Sequence, residues 1–244
     1  MTAPAIETNG LTRRYGALTA VDHLNIRVEK GELFALLGVN GAGKTTTIRM
    51  LCCLTKPTEG DATLSGASIV REPMHVKEKI GVSPQETAVA ANLTAEENLR
   101  LMCGMHGLSK AETDEKVRAL SERFHLNEVL SRRAGKLSGG WQRRLSIAMA
   151  LVSDPEILFL DEPTLGLDVI ARSELWDVIR GMKGHATIIL TTHYMEEAEA
   201  LSDRVGVMKD GRLLALGTPD ALKAQTGQEK FEDAFIAIVR GASK

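Results

Sequence analysis

No apolar run in this chain approaches the roughly 20 residues that a bilayer-spanning helix needs, so no membrane crossing is expected. The opening residues, Met1-Thr2-Ala3-Pro4-Ala5-Ile6-Glu7, have neither a basic n-region nor an apolar h-region, which argues against a secretory signal. Cysteine is scarce. Cys52, Cys53 and Cys103 make no C-x-x-C pair and no metal-ligand spacing, so a zinc module or redox pair is not expected and the thiols read as small packing groups. The six histidines are scattered. Neither sign of charge dominates: a formal net charge of -2 and a pI near 6.3 give no polyanion-binding surface, and no nucleic acid partner is expected. Internal repeats and low-complexity linkers are also missing. What remains is 244 residues with 43% hydrophobic content, enough for one substantial α/β core or two closely joined lobes. A soluble, cytosolic chain is expected.

Glycine supplies the strongest positive signal. Gly38-Val39-Asn40-Gly41-Ala42-Gly43-Lys44-Thr45 fits the phosphate-loop pattern G-x-x-x-x-G-K-[ST]. It lies between a buried strand, Glu32-Leu33-Phe34-Ala35-Leu36-Leu37, and a helix continuing through Thr46-Thr47-Ile48-Arg49-Met50-Leu51. The glycines let the backbone curl until successive N–H groups point at phosphate oxygens, and the helix adds its positive end. Lys44 supplies a mobile cation and Thr45 a hydroxyl suited to Mg²⁺, so the residues point to a nucleoside triphosphate.

Around this loop the pattern alternates. Ile26-Arg27-Val28, Leu33 to Leu37 and Ala62-Thr63-Leu64 predict a partly antiparallel opening. From about Leu93 to Leu126 spaced Leu, Met and Val among Glu, Lys and Arg predict an inserted helical lobe. Strand Ile157-Leu158-Phe159-Leu160, a helix from Arg172 to Met182, strand Thr187-Ile188-Ile189-Leu190 and a helix from Met195 to Leu201 then predict a parallel sheet flanked by helices. Val205 to Met208 and Arg212 to Ala215 flank Asp210-Gly211, a hairpin signal.

Two further elements carry chemistry. The strand at Ile157 ends in Asp161-Glu162, and parallel sheets place ligands at the carboxyl ends of their strands. Asp161 suits Mg²⁺ opposite Thr45, and Glu162 suits polarising a water for attack on a γ-phosphate. Leu137-Ser138-Gly139-Gly140-Trp141-Gln142-Arg143-Arg144 opens another apolar helix with Ser138 as its expected N-cap. Alone, Ser-Gly-Gly is a turn with a capping serine; its exposed N–H groups and hydroxyl also repeat the chemistry of the first loop without its lysine, implying a second anion site.

Phosphate loop, Gln85, Leu-Ser-Gly-Gly, an apolar strand ending Asp-Glu, then His193: this order resembles the ATP-binding cassette ATPase of ABC transporters, over nearly the whole chain. The resemblance implies an α/β fold with a P-loop NTPase core, an antiparallel β subdomain and an inserted α-helical subdomain. It implies a single domain over 1–244, with core and β subdomain in 1–86 and 155–244 and the helical subdomain, bearing Leu-Ser-Gly-Gly, in 87–154. Tyr15, in Arg13-Arg14-Tyr15-Gly16, matches the family's adenine-stacking aromatic. Gln85, in Val82-Ser83-Pro84-Gln85, matches the glutamine that meets Mg²⁺ and the attacking water. Asp168, in Leu165-Gly166-Leu167-Asp168, resembles the loop crossing between two cassettes, and His193 the histidine on the γ-phosphate.

By the same resemblance ATP is bound by Tyr15, Gly38, Asn40, Gly41, Gly43, Lys44, Thr45 and Thr46 of one chain and by Ser138, Gly139, Gly140 and Asp168 of a second, most simply a homodimer. Mg²⁺ falls to Thr45, Gln85 and Asp161, and catalysis to Glu162, His193, Gln85 and Lys44. Val39 stands where the family often has proline, Trp141 where glutamine is commonest and Leu165 where serine is frequent; none of these removes a donor, a metal ligand or the base. Phe231-Glu232-Asp233-Ala234-Phe235 resembles the Leu-Glu-Asp-Val-Phe element of the branch serving ABC-2 type exporters. With Trp-Gln-Arg-Arg and Thr-Thr-His-Tyr-Met-Glu-Glu-Ala-Glu it favours export, powered by ATP hydrolysis, through separate ABC-2 type permease subunits. The chain would then sit on the inner face of the cell membrane. The rival readings are a non-transport ABC ATPase and a cassette that binds ATP as a regulatory module without hydrolysing it. Against the first stand the single cassette, the short spacing between motifs and the lack of zinc ligands; against the second, Glu162 and His193.

Overall fold

In a computed structural model that describes residues 3–241, the chain builds two sheets and a cluster of helices. In chain order the elements are β1 (Ile6–Tyr15), β2 (Leu18–Leu24), β3 (Arg27–Val28), β4 (Leu33–Leu37), α1 (Lys44–Leu51), β5 (Glu59–Leu64), β6 (Ala67–Ser68), α2 (Pro73–Lys79) and β7 (Ile80–Ser83). Then follow α3 (Ala95–Met105), α4 (Lys110–Arg123), α5 (Gly139–Ala150), β8 (Ile157–Asp161), α6 (Val169–Arg180), β9 (Thr187–Thr192) and α7 (Met195–Leu201). The chain closes with β10 (Arg204–Lys209), β11 (Arg212–Gly217), α8 (Pro219–Thr226) and α9 (Phe231–Gly241).

The first sheet is antiparallel, ordered β2-β1-β5-β6 with β3 on β1. The second is ordered β11-β10-β4-β9-β8-β7 and is parallel except for β11, which returns antiparallel on β10. Every residue of β4, β8 and β9 is buried, which is why these strands read as unbroken apolar runs rather than alternating ones. The alternation survives in what each side chain touches. Phe34 and Leu36 pack with Ile48 and Met50 of α1 toward the antiparallel sheet, whereas Ala35 and Leu37 pack with Ala198, Phe231 and Phe235. The C-terminal Phe-Glu-Asp-Ala-Phe element thus does close the core: Phe231 is 2% and Phe235 5% exposed.

Register decides where the site falls. Leu37 pairs with Thr192, and Asp161 pairs with Thr191, so β4, β9 and β8, neighbours in that order, end level. The segments leaving them begin at Gly38, His193 and Glu162. Glu162 N–H donates to Thr191 O at 3.1 Å and Gly38 N–H to Thr192 O at 3.3 Å, which ties the exits together.

The expected helical lobe is present, split into α3 and α4 by a turn at Gly107 (φ +74°). Both helices start on capping boxes: Thr94 with Glu97 and Ser109 with Glu112. Asn98, fully buried, bonds to the Ala90 backbone through its Oδ1 (2.8 Å) and Nδ2 (3.1 Å), fixing the chain that leads into α3. Helix α6 starts three residues before the expected Arg172, because Asp168 Oδ1 accepts from Ala171 N–H at 2.9 Å and caps it. The Asp-Gly hairpin forms as expected, with Asp210 at φ +47° and Gly211 at φ +79°.

Candidate functional site

The phosphate loop is held by close packing that admits no side chain at two of its glycines. A Cβ on Gly38 would lie 2.4 Å from Met208 O, and one on Gly43 2.5 Å from Ala20 O, with Gly43 also at φ +101°. Gly211 N–H donates to Ala42 O at 3.2 Å, so the β10–β11 hairpin turn supports the loop from the side. The result is a cavity of about 630 Å³ lined by Tyr15, Asn40, Gly41, Gly43, Lys44, Thr45, Thr46, Gln85, Glu162, His193 and Asp210, among others. Tyr15 stands at its rim, 45% exposed, with the Arg13 guanidinium 4.4 Å above the ring.

Lys44 begins α1 and is buried, its Nζ donating to Gly38 O at 2.7 Å and lying 3.1 Å from Glu162 Oε1. The other carboxylate oxygen, Glu162 Oε2, lies 2.7 Å from His193 Nδ1. Glu162 is 5% exposed and sits at φ +50°, a left-handed conformation that is uncommon for a non-glycine residue. Its amide is held by both Thr191 O (3.1 Å) and Thr191 Oγ1 (3.0 Å). A carboxylate is therefore clamped between a lysine and a histidine on a strained turn.

One residue earlier, Asp161 Oδ1 accepts from Thr191 Oγ1 at 2.5 Å and from Thr45 Oγ1 at 3.3 Å. Burial raises the Asp161 pKa above the ordinary carboxylate range and Glu162 adds to that, while the Thr191 and Thr45 hydroxyls and Lys44 work against it. Such a carboxyl favours whatever brings positive charge to its free lone pairs.

The structure divides the expected residues in two. Tyr15, Asn40, Gly41, Gly43 to Thr46, Gln85, Glu162 and His193 line one cavity, with Asp161 behind Thr45 and Gly38 beneath Lys44. Ser138, Gly139, Gly140 and Asp168 do not line it. Ser138 and Gly139 are exposed, and the Gly139 and Gly140 backbone lies against Leu167 and Ala171 at the start of α6. Ser138 occupies the N-cap position of α5, but its hydroxyl makes no capping hydrogen bond, which corrects the expectation of a side-chain cap. Asp168 is exposed and its carboxylate caps α6.

Three contributors went unread in the sequence. Thr191 bridges Asp161 and Glu162; its signal was a polar residue at the end of a fully buried strand. Asp210 lines the cavity, although Asp-Gly had been legible only as a hairpin. Arg143 is 5% exposed and donates to Pro84 O (2.7 Å) and Gln85 O (2.6 Å), one of two adjacent buried arginines in a largely apolar helix. Trp141, where glutamine is commoner, packs partly buried on the helical core with the Arg144 guanidinium 4.9 Å over its ring; Arg144 in turn bridges to Glu174 of α6 at 2.5 Å.

Comparison with known proteins gives the family and the fold. The family model described as ABC transporter matches residues 21–165, more than half of the chain. The probable multidrug ABC transporter ATP-binding protein YbhF of Escherichia coli (strain K12) is 41% identical over 246 residues, covering 98% of this chain and 42% of that protein. The daunorubicin resistance ATP-binding protein DrrA3 of Streptomyces coeruleorubidus is 42% identical over 233 residues, covering 95% of this chain and 74% of that one. The chain thus spans less than half the length of the first relative and about three quarters of the second. A solved structure of an ATP binding subunit of an ABC transporter superposes with a TM-score of 0.85 at 30% identity, covering 96% of this chain and 99% of that one.

Proposed function

This chain belongs to the ABC transporter family, and from that premise and the site geometry we propose that it binds and hydrolyses ATP to drive export through separate membrane-spanning subunits. The observation that carries the reading is Glu162: a buried carboxylate at a strand end, 3.1 Å from Lys44 Nζ and 2.7 Å from His193 Nδ1. A module that only bound ATP would need neither the strained turn at Glu162 nor its histidine partner.

The triphosphate lies along the loop from Gly38 to Thr46, with Lys44 meeting the β- and γ-phosphates and Tyr15 stacking on the base. Glu162 takes the proton of the attacking water as its oxygen bonds to the γ-phosphorus, and the bond to the β-phosphate oxygen breaks with its electron pair leaving on ADP. His193 holds the Glu162 carboxylate and contacts the γ-phosphate. Gln85 faces the water from its loop.

Among the described residues no group of three or more His, Cys, Asp or Glu could hold a metal by itself. A Mg²⁺ completed by phosphate oxygens and water needs few protein donors, and the hard oxygen pair Thr45 Oγ1 and Asp161 Oδ1 fits that demand, with Gln85 as a further ligand. Bound there, Mg²⁺ supplies neutralisation of the phosphate charge.

Ser138, Gly139, Gly140 and Asp168 complete the site of a second copy. Their separation from the chain's own cavity, the unused Ser138 hydroxyl and the exposed Leu165, Val169 and Ile170 nearby support a closed ATP-bound homodimer. Drug-resistance and multidrug names among the relatives, together with the Phe231–Phe235 element, support export and a permease of ABC-2 type. No helix among the described residues is long and apolar enough to cross a membrane; the relatives' names as ATP-binding proteins of transporters support membrane-spanning partners, with this chain on the inner face.

Glu162→Gln tests the base. The amide keeps the shape but cannot take a proton, so ATP binding is retained, turnover falls by at least about 10²-fold, and ATP-bound dimers accumulate in gel filtration. Unchanged hydrolysis would overturn the assignment.

A further inference from the structure

Helix α5 carries a buried charge where a hydrophobe would fill the same space. Arg143 is 5% exposed, and among the described residues no carboxylate forms an ion pair with its guanidinium. Its neighbour Arg144, equally buried, pairs with Glu174. Arg143 instead sends Nη1 to Pro84 O at 2.7 Å and Nη2 to Gln85 O at 2.6 Å, its planar fork matched to two consecutive carbonyls. A desolvated guanidinium with only backbone acceptors is an unfavourable way to pack a core. Burial lowers its pKa, partly offset by Asp161 and Glu197. Stability alone gives this residue no reason to be arginine.

The surroundings say what the fork holds. Farther along α5, Ser146 Oγ meets Ser83 Oγ at 3.0 Å, and a Cβ on Gly81 would lie 2.2 Å from Ala150 O, so helix and strand β7 are in direct backbone contact. Past Ser83 the chain leaves the sheet, and Gln85 is exposed where it lines the phosphate cavity. Arg143 fastens this departing segment to α5, while Asn98 fastens it again at Ala90. The first turn of the same helix carries Ser138, Gly139 and Gly140.

We infer that Arg143 is a positioning residue: it locks the Gln85 backbone to the start of α5, so that the glutamine at one phosphate cavity and the Ser138–Gly140 end offered to a second copy move as one body. This rests on the proposed ATPase reading and adds a mechanical link to it.

Arg143→Met keeps the volume and removes the fork. Without the fork, backbone amide NMR order parameters at residues 85–88 fall from the rigid range of about 0.85 to below about 0.6 while those of α5 stay unchanged. In ATP hydrolysis kcat falls about tenfold with KM changed less than about threefold, because the interaction acts through the reacting geometry rather than through nucleotide binding. Arg143→Lys, which keeps the charge but loses the planar two-nitrogen fork, recovers only part of kcat; should the methionine variant fail to fold, the lysine variant carries the order-parameter measurement alone. In a Gln85→Ala background Arg143→Met brings no further fall in kcat, since the two act through one loop. Unchanged order parameters at residues 85–88, or losses in kcat that multiply in the double variant, would overturn the inference. A wild-type chain without turnover overturns the ATPase reading, and the order-parameter measurement then decides the role of Arg143 independently.

Discussion

Helices α1 and α5 both start from a glycine-containing loop, with Gly43 capping one and Gly139 opening the other, yet they end up in opposite situations. At α1 the loop is wedged so tightly that Gly38 and Gly43 admit no Cβ, and the first helical side chain, Lys44, is buried against Glu162 and Gly38 O. At α5 the glycines are open toward solvent or the start of α6, and the capping hydroxyl has no partner. One helix start is enclosed by its own chain; the other is left open. The difference teaches that similar local chemistry acquires a role from what faces it: three level strand ends face α1, whereas the exposed Ser138 hydroxyl makes no capping bond among the described residues.

Lys44→Ala attacks the enclosed end and has the largest expected effect. It strands the buried Glu162 carboxylate, so turnover falls by at least about 10²-fold and stability drops by about 3 kcal/mol, read as a lower midpoint in thermal melting. Ser138→Arg attacks the open end: because Ser138 is exposed and without a hydrogen bond there, the melting midpoint stays within about 0.5 kcal/mol of wild type while turnover falls comparably. Mixing the two variants sharpens the contrast. Randomly paired mixed dimers keep one intact composite site, so about a quarter of wild-type activity returns if the open end serves a symmetric second copy. No recovery on mixing would break the comparison.

Asp161→Asn probes the enclosed end more gently. Its folded-state pKa is raised, so the carboxyl's contribution to stability is present below its ordinary pKa and lost as pH rises through the raised value. At neutral pH the charged form is therefore a burden on the fold, and the asparagine carbonyl still accepts from Thr191. The variant is expected to melt higher at pH 7 by about 1 kcal/mol, with a smaller gain at pH 5, while losing turnover. An equal gain at both pH values would remove burial of charge as the cause.

The smallest effect separates two cap serines and threonines. Thr94 caps α3 with a formed bond to Glu97 N–H at 3.1 Å, so Thr94→Ala costs about 1 kcal/mol. Ser138 makes no such bond, and Ser138→Ala leaves the midpoint in urea unchanged within error. Equal losses would mean that the serine hydroxyl does cap its helix in solution.

Much of this was legible beforehand because it depends on short-range pattern. The unbroken apolar runs of β4, β8 and β9 announce strands buried on both faces, the spaced Leu, Met and Val after Leu93 announce a helical lobe, and Asp210-Gly211 announces a hairpin. The phosphate loop is readable as well, since its glycines and lysine must stand at fixed spacing. Thr191 and Arg143 were not readable, because each acts across 30 or more residues on groups that the chain alone does not bring near: Thr191 on Asp161 and Arg143 on Pro84 and Gln85.

Sequence by itself therefore determined which residues can bind phosphate, ligate a hard cation or take a proton, because those abilities reside in side-chain type and local backbone freedom. The tertiary structure decided which of them meet. The strand order β4-β9-β8 and a register that ends those strands level bring Lys44, Glu162 and His193 within hydrogen-bonding reach. The same packing carries Ser138 to a surface apart from its own phosphate cavity, since a helix pinned along β7 by Gly81, Ser83 and Arg143 has no freedom to turn its first residues back.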